Sequence, residues 1–142
     1  MAQTAKALFI VATIPFIVLG TLHNLYMLMD RWRPSRITPS DPAVRAAMEG
    51  ARLRIHRTTD MWRAWVGFNF SHGLGAIVFG LVFLLLALDD FARLSGTRPL
   101  MVIATAVPLI YLYLAIRYWF IVPIIGIGIG AAAMLGAFAL SF

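Results

Sequence analysis

Four long stretches of this chain are almost wholly apolar, and most of its polar residues lie between them. The apolar runs cover about residues 5–29, 61–88, 99–116 and 121–140. Each is close to the ~20 residues a helix needs to cross a hydrocarbon core. They are too long for strands and lack strict alternation. The pattern predicts an all-α membrane protein with four transmembrane helices in an up-down antiparallel bundle, forming one transmembrane domain. The first run is longer than the apolar part of a signal peptide and no small-x-small cleavage site follows it, so it reads as a retained helix.

The links predict how the helices are joined. Residues 89–98 read as a short polar turn broken at Ser95-Gly96-Thr97, and Arg117-Tyr118-Trp119-Phe120 as a tighter one, with Pro123 suited to a first helical turn. Short links force sequential helices into antiparallel pairs. Pro15 and Pro108 are expected to kink their helices. Only the first connection, about 30–60, is sizeable. Pro34, Pro39 and Pro42 make its opening extended, and Ser40 or Asp41 can cap a helix that has Pro42 in first position. Val44, Met48, Leu53 and Ile55 interleaved with arginines predict a basic amphipathic helix over 43–56, weakened at Gly50.

Composition agrees with the pattern. Hydrophobic residues make up 61% and charged residues 13%, and the mean hydropathy is +0.86. A water-soluble domain needs far more polar surface. The chain has no cysteine, which removes disulfides, thiolate metal sites and cysteine nucleophiles. A net charge of +6 could suggest nucleic acid, but the cations cluster in one connection and fit an anionic bilayer surface instead. Arg45, Arg52, Arg54 and Arg57 are the expected membrane-surface residues. Arg31, Arg33, Arg36, Arg63 and Arg117 fall on the same side, against Lys6, Arg93 and Arg98 on the other. The positive-inside rule then puts the 30–60 connection in the cytoplasm and both termini in the periplasm. Trp32, Trp62, Trp65 and Trp119 fall near the same boundary, as interfacial aromatics do.

Polar residues inside the apolar runs are the informative ones. His23 and Asn24 lie in the first run, and Asn69, Ser71 and His72 in the second. Counted from Asp30 and Arg63, His23, His72 and Asn69 lie roughly 10, 14 and 9 Å deep. Asn69, His72, Gly73, Ala76 and Gly80 form one helical stripe, and Thr13, Gly20, Asn24 and Met27 another. Small residues permit close approach, and amides or imidazoles facing lipid would be costly, so these polar groups should face each other or a wet cavity.

Three readings of His23, Asn24, Asn69 and His72 compete. The first is a hydrogen-bonded clamp between two helices. The second is a pocket for a lipophilic molecule, with a neutral histidine moving a proton and Tyr111 or Tyr113 joining in. The third is a b-type haem held by His23 and His72. No cofactor is otherwise expected, no metal site is visible, and the lack of an intramembrane carboxylate argues against a proton relay. Gly126 and Gly130 form a packing face rather than a phosphate loop, because no strand precedes them. His56 reads as a solvated loop residue.

The segment Thr58-Thr59-Asp60-Met61-Trp62-Arg63-Ala64-Trp65-Val66-Gly67-Phe68-Asn69-Phe70-Ser71-His72-Gly73-Leu74-Gly75-Ala76, with Gly20-Thr21-Leu22-His23 and the Asp41-Pro42 helix start, resembles a family of small, uncharacterised four-helix bacterial membrane proteins. The resemblance covers the first half of the chain and implies a bacterial inner-membrane location. It supplies no substrate and no catalytic residue. The expected function is a non-enzymatic accessory, assembly or scaffold subunit, with the bilayer and other membrane subunits or a second copy as partners. The alternative is a membrane enzyme or binding protein for a lipid, quinone or sterol-like molecule.

Overall fold

The computed structural model describes all 142 residues. Five helices follow in order: α1 (Ala2–Asp30), α2 (Pro42–Gly50), α3 (Met61–Gly96), α4 (Arg98–Tyr118) and α5 (Ile121–Ala139). There are no strands beyond an isolated bridge between Arg52 and Asp60. Four helices, all but α2, are long and apolar enough to span a membrane. The shortest, α5, has 19 residues, about 28 Å at the helical rise and so close to the hydrocarbon thickness. Leu85, Ile110, Ile125 and Ile129 are each more than half exposed, a surface that suits lipid and not water. The chain is an all-α protein with four membrane-spanning helices in antiparallel succession.

Its residues group into two compact units. One comprises residues 1–19 and 76–142, and the other residues 20–75.

In the first unit, α5 runs antiparallel to the start of α1. Gly126, Gly130 and Gly136 face Leu19, Ala12 and Leu8 in turn, and a Cβ at Gly130 would lie 3.0 Å from the Ala12 carbonyl oxygen. The Gly126/Gly130 face is therefore used within the chain. Aromatic side chains fill the core, with Phe9 on Phe83 and Phe91 and Phe16 on Phe79 and Tyr111. Both α1 and α4 continue through Pro15 and Pro108.

A break in helical geometry comes at Asp90 (φ −145°, ψ 91°). The expected polar turn over 89–98 is thus mostly helical. Asp90 accepts the Arg93 N–H at 3.0 Å and restarts the helix, while Phe91 and Leu94 are buried three residues apart. Burying these two side chains outweighs the polar composition of the segment, and Thr97 alone separates α3 from α4.

In the second unit, Asp41 caps α2 by accepting the Ala43 N–H at 2.8 Å, and Pro42 begins the helix. The helix ends at Gly50 and does not reach residue 56. Residues 51–60 instead double back. Leu53 donates its N–H to Thr59, Met61 donates to Ala51, and Arg52 meets Asp60 at 3.5 Å. Asp60 also accepts the Arg63 N–H and caps α3. Gly50 costs helical stability, and these contacts favour a return toward α3 over another turn of α2.

Candidate functional site

All four residues of the polar cluster lie in the second unit. They sit on the end of α1 and the start of α3. What brings these helices together is small: a Cβ at Gly73 would collide with the Asn24 side chain and lie 3.1 Å from the Gly20 carbonyl oxygen. The Asn24 amide reaches across to the α3 backbone. With the amide assigned in the orientation that satisfies both of its ends, its nitrogen donates to the Phe70 carbonyl at 3.3 Å and its oxygen accepts the Leu74 N–H at 3.2 Å. Those groups are the two ends of a single helical hydrogen bond, so Asn24 grips one turn of α3 without needing a side-chain partner.

The remaining members lie beside this grip. The rings of His23 and His72 meet edge to face, with centroids 5.4 Å apart and planes at 78°. His72 also stacks on Phe68, with centroids 6.3 Å apart. Asn69 is buried, donates to the Trp65 carbonyl at 2.8 Å and interacts with His23. His23 Nε2 is buried and meets no group at hydrogen-bonding geometry. Ser71 turns outward and donates to the Phe68 carbonyl. The chain has no group of three or more histidine, aspartate or glutamate side chains placed to hold a metal ion.

No family model, curated protein or solved structure matches this chain.

Tyr111 packs on Phe16 and Trp119 in the first unit, and Tyr113 is 64% exposed. Among the surface arginines, Arg45 lies over the Trp62 ring at 4.7 Å and pairs with Glu49 at 3.1 Å. Arg52 pairs with Asp60, and Arg54 and Arg57 are exposed. His56 meets Thr58 at 2.9 Å within its own loop.

Sequence reasoning used Asp30 only as a border, yet it organises the connection. Its carboxylate accepts N–H groups from Ser35 and Arg36 at 3.0 Å and from Ile37 and Thr38 at 2.7 Å. Asp30 lies just past the apolar run. Burial acts to raise its carboxyl, but the Thr38, Ile37 and Ser35 N–H groups outweigh that and hold it at about 2. A signal was present in the sequence: a carboxylate closes the apolar run, and the four donors lie between Pro34 and Pro39, which have no N–H.

Beside Asp30 is a cavity of about 220 Å³. Met27, Trp62, Trp65, Val66 and Phe70 line it from the two long helices, and Arg31, Thr38 and Arg45 from the connection.

Proposed function

We propose that this protein is a non-enzymatic accessory or scaffold subunit of a bacterial inner membrane, packing beside other membrane proteins or further copies of itself. One observation carries the reading. Gly67, Ser71 and Gly75 lie four residues apart on one exposed face of α3, and nothing would meet a Cβ added at either glycine. Gly73, Gly80, Gly126 and Gly130, by contrast, are used internally, against side chains or carbonyls of α1. A small-residue stripe left outward lets a second helix approach closely. Asn24 meanwhile is engaged in joining α1 to α3. The arginine-rich 30–60 connection favours a cytoplasmic position for it, with both termini periplasmic.

The absence of cysteine makes the test direct. Ser71→Cys introduced alone should crosslink in native membranes to a defined neighbour or a second copy, whereas Leu85→Cys, exposed elsewhere on α3, should not. Native protein that extracts alone and monomeric, with no Ser71→Cys adduct, would sink the proposal.

A second reading is supported by His23 Nε2, a buried polar atom without a partner. On this reading the cluster takes a lipophilic molecule such as a lipid, quinone or sterol-like compound, and Nε2 is the group that would meet it. Solvent extraction of purified protein would recover such a molecule. A b-type haem on His23 and His72 would give a Soret band, although two imidazoles packed edge to face at 5.4 Å fit a direct ring contact better.

A further inference from the structure

The cavity beside Asp30 has a lining of two chemical kinds. Met27, Val66 and Phe70 belong to the apolar runs, whereas Arg31 and Arg45 belong to the connection. Asp30 borders it too, but both its oxygens already accept backbone N–H groups, so it offers little to a cationic guest. Arg45 is held in place by Glu49 through Nε and by the Trp62 face, which leaves its terminal guanidinium nitrogens available. Arg31 takes part in neither of the chain's two ion pairs. Arginine forks match phosphate oxygens in geometry and charge. Trp62 and Trp65 on the cavity wall are residues that settle at the headgroup level of a bilayer. At ~30 Å³ per water, the cavity has room for a headgroup but not for acyl chains, which would run out along the lipid-facing helices.

We propose that this cavity holds a phosphate ester group between Arg31 and Arg45, with the adjoining carbons against Met27, Val66 and Phe70. The site is separate from the His/Asn cluster and does not depend on the scaffold reading. The phosphate could belong to a membrane lipid or to a free phosphate ester, and the test separates these sources.

Full-length protein is delipidated in mild detergent and offered phosphatidylglycerol, a diacylglycerol with the same chains, or sn-glycerol 3-phosphate. Retention is read by native mass spectrometry. Phosphatidylglycerol should be retained about tenfold over the diacylglycerol, the scale of one charge-assisted contact. Arg31→Gln/Arg45→Gln should abolish that preference, and Arg54→Gln/Arg57→Gln, outside the cavity, should keep it. Val66→Phe, which narrows the cavity without changing charge, should weaken retention and guards against a double variant that misfolds. Displacement of the lipid by equimolar sn-glycerol 3-phosphate would support the site with a free ester as its guest, and failure to displace would support a lipid. Equal retention of the diacylglycerol, or equal loss in both double variants, would overturn the proposal.

Discussion

The Asn24 side chain occupies the space a β-carbon on Gly73 would need, with the Gly20 carbonyl oxygen 3.1 Å from that same position. Glycine at 73 thus sets how closely α1 and α3 approach, and that closeness lets a side chain as short as Asn24 reach the carbonyl of Phe70 and the N–H of Leu74.

Gly73→Ala should therefore destabilise the protein by about 1–3 kcal/mol, the usual cost of overfilling a packed interior. Gly75→Ala meets open space within the chain and, in the dispersed monomer, should be neutral, or stabilising by up to about 1 kcal/mol through helix propensity. Unfolding in mixed detergent micelles reads both. Equal effects would remove Gly73 from its role.

His72 lies beside the grip that Asn24 makes. His72→Ala should cost about 1–2 kcal/mol at most, because hydrogen bonds inside membranes are modest. His72→Gln should preserve assembly with partners. A folded His72→Gln protein that has lost all function would instead favour the lipophilic-ligand or haem reading.

Asp30 should control the order of the connection. Asp30→Ala leaves the N–H groups of residues 35–38 without their acceptor. It should cost about 1.5–3 kcal/mol, the range for a hydrogen bond to a charged group, and speed amide exchange at those four residues. The pH dependence has a definite sign. The folded carboxyl is held at about 2, below the ~3.9 of an unfolded aspartate. Its stabilising contribution is complete above the unfolded value and lost as pH falls through the folded one. Exchange protection at 35–38 should hold down to about pH 4 and then decline in the wild type, with no such step in Asp30→Asn.

Orientation is checked by a reporter fused after Phe142. In a Gram-negative host it should give periplasmic activity, because the arginine excess lies in the 30–60 connection. Cytoplasmic activity would invert the topology.

Length and hydropathy were enough by themselves to give four spans, because a bilayer leaves a single helix little choice once about 20 apolar residues follow one another. The Asp41-Pro42 helix start was legible for a local reason: a cap needs only its own neighbours. Periodicity also placed Asn69, Gly73, Ala76 and Gly80 on one stripe, and all four are buried. What tertiary structure alone decided were relationships between distant residues. Asn24 takes backbone groups of α3 and not the side chains of Asn69 or His72, a choice that depends on ångström-scale helix separation. Phe91 and Leu94 turn an apparent loop into helix because a core was waiting for them. Asp30 gathers four N–H groups from beyond Pro34. Local composition specifies an element, but a side chain's partner depends on which backbone groups the packed helices leave within reach.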